Sequence, residues 1–342
     1  MKMTNKIEFS TNTLLKITGI ILILWFVFLM KEVLLMLFIS IVLVSALEPL
    51  VTYLELKKIP RVLSAILIYA LFLGFVVLCF YLIIPVLIFE LKQLGENLPD
   101  YLSGINNFLI NLNNSLIITD FQINIKTLVN NVSDRMTGLL SQVFSNSINF
   151  LALLFKIFIV FALAFYMIVK KEGINGFWKF LLPKKYEDYA INLTFKIQKK
   201  MGSWLVGQLT IAFLVFTLEF ILLYSLGVPY ALLLAILGGF LNLIPFIGPF
   251  MAFIPTVLVA LLVSPLTAVL VGILYITIQQ IESYIFVPLI MKKAIGLDPV
   301  VIIIALMVGA GLFGFVGMLI AIPFASALMV IVKELQDHKL PE

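Results

Sequence analysis

Histidine and cysteine are almost absent from this sequence. Its 342 residues include one cysteine, Cys79, and one histidine, His338, close to the C-terminal end. One cysteine cannot form an intramolecular disulfide, and a lone histidine in that position cannot build a His/Cys zinc site and is badly placed for a Ser-His-Asp triad. The phosphate-binding pattern Gly-x-x-x-x-Gly-Lys-[Ser/Thr] is missing too. We therefore expect neither an enzyme nor a protein that holds a metal or another cofactor.

Charge is scarce as well. Charged residues make up 12% of the chain and hydrophobic residues 63%, whereas roughly a quarter of the residues of a soluble domain are charged. The mean hydropathy is +1.17. A soluble fold of this length cannot cover so much apolar surface with a polar exterior. The composition excludes a soluble enzyme and a disordered chain, and it predicts an all-α, polytopic membrane protein.

The apolar runs predict where the chain meets the bilayer. A transmembrane helix needs about 20 apolar residues to cross the hydrocarbon layer. Between the runs, the stretch 90–147 is polar and rich in Asn, which predicts a helical extracytoplasmic insertion. Residues 170–203 predict an amphipathic helix on the membrane surface. The apolar runs cover 17–30, 33–47, 62–89, 148–169, 205–226, 231–263, 266–289 and 299–332.

These runs divide the chain into six predicted units. Two of the units each combine one span with one helical hairpin, and they are the candidates for an internal repeat. The units are N-terminal transmembrane helices in 1–89, the insertion in 90–147, a span with the amphipathic segment in 148–203, a span with hairpin 1 in 204–265, a span with hairpin 2 in 266–333, and a tail in 334–342.

The distribution of Lys and Arg predicts the orientation. Residues 170–200 hold eight Lys and three acidic residues, whereas 90–147 holds three basic and five acidic residues. Basic loops stay in the cytoplasm, so we expect a cell-membrane protein with both termini cytoplasmic. The runs 231–263 and 299–332 then enter and leave on the same side, from opposite faces, as hairpins. The positive-inside rule explains the basic segment without nucleic acid, and its Lys residues also attract anionic headgroups.

Helix-breaking residues support the two hairpins. Glycine and proline interrupt helices, and backbone freed at membrane depth must be buried in protein or line a wet cavity. The segment FIGPFMAFIP in the first hairpin also resembles FVGMLIAIP in the second, which predicts an inverted repeat of the kind found in secondary transporters. The predicted breaks are Pro245, Gly248 and Pro249 in the first hairpin, and Gly309, Gly311, Gly314 and Gly317 in the second.

Three C-terminal blocks resemble a known family. GGFLNLIPFIGPFMAFIP, QQIESYIFVPLIMKKAIGLDP and GLFGFVGMLIAIP are similar to signature blocks of the autoinducer-2 exporter family, and EPLVTYLELKKIPR and the pair Gly207-Gln208 agree with it. The resemblance implies a multi-pass helical transporter that forms a homo-oligomer, with a pentamer as the form, and an elevator-like movement of the hairpins. It implies export of a small polyhydroxylated quorum-sensing signal, or sodium/proton antiport as in some relatives.

Polar residues within the apolar runs are the candidate binding residues. Gln279 and Glu282 are three positions apart and share a helix face, and Glu282 matches the family block. A broken helix can present carbonyls and an amide to a solute or an ion. A carboxylate at the water interface and an Asn that caps a helix are the alternatives. The predicted substrate- or ion-binding residues are Gln208, Asn242, Gln279, Gln280 and Glu282.

Lys156 and Glu219 are the other charged residues inside predicted spans. They lie at similar depths of two consecutive spans, so we expect them to form an ion pair. The pair would either exchange partners during transport or remain a static buried pair, and Lys156 could instead extend to the membrane surface.

Three functions remain open from the sequence. The first is a secondary transporter that exports a small polar solute by alternating access. The second is a sodium/proton antiporter on the same scaffold, in which Glu219 and Glu282 serve competing ions. The third is a non-transporting membrane scaffold that recruits partners through 90–147. The expected partners are the lipid bilayer, a small polar solute, Na⁺ or H⁺, and further copies of the chain.

Overall fold

The structure is a computed structural model that describes residues 11–115, 147–170, 176, 178–179, 182–291 and 297–337. Within these ranges the chain forms helices and no strand, which confirms the all-α class. Most of the expected insertion, from 116 to 146, lies outside the described residues. The helices are α1 (Thr11–Leu29), α2 (Lys31–Leu56), α3 (Arg61–Ser115), α4 (Ser147–Val169), α5 (Lys184–Ser225), α6 (Ala231–Leu241), α7 (Ile247–Val263), α8 (Pro265–Ile281), a π-helical turn (Glu282–Phe286), α9 (Val287–Met291) and α10 (Pro299–Asp337).

Helices of spanning length confirm a polytopic membrane protein. Five helical stretches of the described chain are long and apolar enough to cross a bilayer, and α8, the π-helical turn and α9 together make one of them. Shorter apolar stretches occur in α1, α4, α6 and α7. The five stretches are Lys31–Leu56, Arg61–Glu90, Lys184–Ser225, Pro265–Met291 and Pro299–Gln336.

Two helices run through boundaries that the sequence predicts. Helix α3 has 55 residues and continues without a break across the expected start of the insertion at residue 90. Helix α5 has 42 residues and joins the expected amphipathic surface segment to the following span. A change from apolar to polar side chains changes what a helix contacts, but it does not end the helix. The residues after 90 therefore continue the helix of the preceding span, and residues 184–203 belong to the same helix as the following span.

Helices α6 and α7 form the first hairpin. Residues 242–246 turn the chain, and Phe246 has a φ of 67°, which reverses the backbone before α7 begins. Gly248 packs against the main-chain carbonyl of Leu241, with no room for a Cβ atom. Pro245 lies in the turn, and Pro249 lies in the first turn of α7, where a missing N–H costs nothing. These three predicted breaks all lie at the turn.

Helix α10 folds back on itself to form the second hairpin. The backbone leaves helical geometry at Phe313 and at Gly314, whose φ is 59° and ψ is −136°. Gly309 and Gly317 then pack against each other's carbonyl groups across the two arms. Gly311 is exposed, within the first arm, with no atom near its missing side chain. The prediction that Gly311 belongs to the break is therefore wrong, because the arms meet on the face that carries Gly309.

The two hairpins contact each other near their turns. The rings of Phe240, at the end of α6, and Phe315, just after the second turn, stack with their centroids 5.6 Å apart. One apolar core cluster joins α5, the first turn, α8 and both arms of α10. Its members include Ile211 and Val215 of α5, Ile244 of the turn, Ile278 of α8, and Leu306 and Ile322 of α10.

Candidate functional site

A buried network of amides and one carboxylate lies at the first hairpin turn. The Asn242 side-chain amide donates to Glu282 Oε1 at 3.2 Å, and the Gln279 amide donates to Glu282 Oε2 at 3.2 Å. The Gln208 amide donates to the main-chain carbonyl of Asn242 at 2.7 Å. Asn242 is 1% exposed and Glu282 is 7% exposed. We call these four residues the polar network.

Three separate elements position the polar network. Helix α5 carries Gln208, the C-terminal cap of α6 carries Asn242, and the last turn of α8 carries Gln279. Glu282 begins the π-helical turn, where the extra residue per turn shifts the register of the side chains. Such π-turns inside α-helices occur often at functional sites. The network therefore depends on the hairpin staying in contact with both long helices.

A second buried carboxylate lies one helical turn away along α6. Glu219 is 2% exposed and stands directly against Gly238, where a side chain would collide with the carboxylate. The Tyr275 hydroxyl lies beside the Glu219 carboxylate and donates to the Pro249 carbonyl at 3.3 Å. Glu219 and Glu282 also lie close enough to interact electrostatically. Both carboxylates thus belong to one interior region around α6.

Two acceptors in this region have no hydrogen-bond donor among the described residues. They are Glu219 Oε2 and Asn242 Oδ1, and both are fully buried. Neither carboxylate of the region is paired with a basic side chain in the part of the chain that the structure describes. A buried acceptor without a partner costs about 1–3 kcal/mol, and a buried charge costs more. The arrangement is suited to receive a proton, a small cation or the hydroxyl groups of a solute.

The expected pair of Lys156 and Glu219 is wrong. The Lys156 ammonium instead pairs with Glu32 at 2.9 Å, and both side chains are exposed. Helices α2 and α4 pack together, as the hydrogen bond from Ser40 to the Val160 carbonyl shows, so Lys156 reaches the start of α2. Similar depth in the membrane places two residues at one level, but it does not make their helices neighbours.

Gln280 does not join the polar network. Its side chain is exposed, because one residue along a helix turns the side chain by about 100° away from the face of Gln279. Tyr275 and Gly238 are part of the region and were not predicted from the sequence. Their spacings carry a usable signal: Tyr275 is seven residues before Glu282, and Gly238 is four before Asn242, so each shares a helix face with a predicted residue.

Among the described residues, no group of three His, Cys, Asp or Glu side chains could hold a metal ion. The fold and the site together define a polytopic helical membrane protein. Its polar region is buried between the first hairpin, α5 and the long stretch that begins with α8. The sequence model of the protein family described as "AI-2E family transporter" matches residues 17–337 of the chain. The chain therefore belongs to the AI-2E transporter family, and it is a membrane transport protein.

Curated relatives match over most of their length. The chain is 29% identical over 304 residues to the putative transport protein YrrI of Bacillus subtilis, which covers 88% of this chain and 86% of that one. It is 31% identical over 289 residues to the putative transport protein YueF of the same organism, covering 81% and 77%. It is 26% identical over 306 residues to the AI-2 transport protein TqsA of Escherichia coli, covering 87% and 82%.

Proposed function

We propose that this protein is a secondary transporter that exports a small polar solute by alternating access, with the polar network as its binding site. The observation that carries the proposal is the unpartnered Asn242 Oδ1, buried at the hairpin turn beside the Glu282 carboxylate. Hydroxyl groups of a solute would donate to these oxygens. The name of TqsA, an AI-2 transport protein, supports the autoinducer-2 signal as the first substrate to test.

The moving parts in this proposal are the two hairpins, related as an inverted repeat. Each turn contains one residue with a positive φ, Phe246 in the first and Gly314 in the second. A few residues later, Gly248 and Gly317 each pack against a carbonyl of the opposite arm. These matching positions support the repeat, and in this proposal the hairpins enter from opposite leaflets and make an elevator-like movement. A homo-oligomer, with the pentamer implied by the family resemblance, and cytoplasmic termini complete the proposal.

A cation/proton antiporter on the same scaffold is the second candidate. Its supporting observation is the pair of buried carboxylates, Glu219 and Glu282, that lack basic partners within the described ranges. One carboxylate that accepts either a proton or Na⁺ couples the two ions by competition. In this version, the polar network supplies oxygen ligands to the cation in place of its water shell.

The test is solute flux in proteoliposomes that contain Glu282→Gln. This change keeps the size of the side chain but removes the charge, so we expect flux of the autoinducer-2 signal to fall at least tenfold while the protein still assembles. Gln280→Ala is the matched control, because Gln280 is exposed on the same helix and outside the network. Undiminished flux in Glu282→Gln would remove Glu282 from the mechanism.

A pH-sensitive dye inside the same vesicles separates the two candidates. Proton movement on addition of Na⁺, without any effect of the solute, would favour the antiporter. Solute flux without a response to Na⁺ would favour the exporter. Absence of flux under every imposed gradient would support the third function, a non-transporting scaffold.

A further inference from the structure

A cavity of about 920 Å³ lies apart from the polar network, between the C-terminal half of α2 and the N-terminal part of α5. Residues of α2, α4 and α5 line it, together with Arg61 at the start of α3. This volume is in the upper range of small-molecule pockets. The cavity belongs to the end of the bundle where the amphipathic part of α5 passes the short α2–α3 connection.

A tight helix contact closes one end of the cavity. Gly202 of α5 packs onto the main-chain carbonyl of Ser45 in α2, and a Cβ atom at this position would overlap that carbonyl. The lining of the cavity runs from Val44 to Leu56 along α2 and from Asp188 to Lys199 along α5. The lining thus extends from this contact toward the N-terminal end of α5.

One basic group of the cavity is already neutralised. The Arg61 guanidinium pairs with Glu48 at 2.6 Å and with Glu55 at 3.1 Å, and its Nε donates to the Ile168 carbonyl at the end of α4 at 2.9 Å. These bonds hold α2, α3 and α4 together, and the two carboxylates compensate the charge of the Arg61 guanidinium. Arg61 is thus a structural part of the cavity wall.

The two lysines of the cavity lack such partners. Lys170, directly after α4, and Lys199 of α5 line the cavity, and neither forms an ion pair with any residue that the structure describes. Asp188 is the remaining acidic group of the lining. Three basic side chains line the cavity and two acidic ones do, so the lining has an excess of one positive charge, and Lys170 and Lys199 supply the basic groups that favour an anion.

Most of the uncharged residues of the wall are apolar, and the apolar part continues onto the surface. Ile191 and Phe195 of α5, Leu56 of α2 and Met167 of α4 all line the cavity, and Phe195 and Leu56 are largely exposed. A free inorganic anion would bind the two lysines but would bury no apolar surface against the exposed apolar residues beside them. The cavity instead suits an amphiphile with an anionic head and acyl chains, and basic pockets between helices at the cytoplasmic membrane surface bind such headgroups.

We propose that this cavity binds an anionic phospholipid, with the phosphate between Lys170 and Lys199 and an acyl chain along Phe195 and Leu56. The inference does not depend on which solute or ion the protein transports. The bound lipid bridges α4 and the amphipathic part of α5, the helix that also carries Gln208 of the polar network.

The test is native mass spectrometry of the full-length protein in detergent, titrated with phosphatidylglycerol or with phosphatidylcholine. We expect phosphatidylglycerol to bind at least tenfold more tightly, and the double variant Lys170→Gln/Lys199→Gln to lose that preference. The control is Lys184→Gln/Lys200→Gln, which removes the same charge from α5 at positions that do not line the cavity. It should keep the preference.

Three outcomes would overturn the proposal. They are equal binding of the two lipids, equal loss in the control double variant, and displacement of phosphatidylglycerol by millimolar glycerol 3-phosphate, which has the anionic group without acyl chains. A double variant that fails to fold would give a shifted size-exclusion profile. In that case the single variants Lys170→Gln and Lys199→Gln, each expected to weaken binding about fivefold, decide the question.

Discussion

The contact between the two arms of α10 gives a sharp test of the second hairpin. Gly317 and Gly311 belong to the same helical element, and both can be changed to Ala. A Cβ atom on Gly317 would stand 2.6 Å from the Gly309 carbonyl carbon and 3.0 Å from Phe313 Cβ. A Cβ atom on Gly311 would meet no atom within 4 Å. We expect Gly317→Ala to destabilise the protein and Gly311→Ala to be tolerated.

The magnitude follows from the clash. The arms must separate by about 1 Å to restore ordinary contact, and a gap of that size removes up to half of the dispersion energy of the contacts around it. Overpacking of this kind costs about 1–3 kcal/mol. Replacement of Gly by Ala in a helix also contributes about 0.5–1 kcal/mol of stability. This gain applies to both variants, so the difference between them isolates the clash at about 1–3 kcal/mol.

The assay is reversible unfolding by SDS in mixed micelles, followed by tryptophan fluorescence, for the two variants and the parent. We expect Gly311→Ala to equal or exceed the parent in free energy of unfolding and Gly317→Ala to fall below Gly311→Ala by about 1–3 kcal/mol. If the two variants are equally stable, the arms do not meet at Gly309 and Gly317, and α10 is not folded at Gly314.

The remaining predictions concern Glu219. Gly238→Ala places a methyl group against the Glu219 carboxylate, so we expect at least a tenfold loss of flux in proteoliposomes. The control is Gly272→Ala, at a position with room for a methyl group, and it should keep flux. Equal loss in both variants would contradict the contact between Gly238 and Glu219. Lys156→Gln removes only an exposed ion pair with Glu32, which contributes about 0–1 kcal/mol to stability. The stability and the flux of this variant should therefore match those of the parent, whereas Glu219→Gln should reduce flux. Equal damage from these last two variants would restore the pairing of Lys156 with Glu219.

Local patterns predict the parts of the site that lie within one helix. Gln279 and Glu282 share a face because three residues make nearly one turn, and they do meet in the structure. The contact of Asn242 with Glu282 joins residues 40 positions apart, and the residue pattern assigns both to the binding residues without predicting that they touch. The same limit explains Gln280, which belongs to the matching sequence block but turns away from the network.

Membrane depth is a similarly incomplete guide. Counting residues from the ends of the spans places Lys156 and Glu219 at one level, yet the side chains belong to different parts of the bundle. Lys156 lies near α2, and Glu219 lies against α6. Depth is one coordinate of three, and the other two depend on which helices pack together.

Composition alone determines that this chain enters a membrane, because the transfer of apolar side chains from water adds up residue by residue along the sequence. The dense Gly and Pro residues likewise determine that two apolar runs break, since backbone preferences are local. Only the tertiary structure decides that Gly309 faces Gly317 while Gly311 faces outward, and that Asn242 meets Glu282. Those contacts depend on how distant segments pack, and no local pattern encodes the register between them.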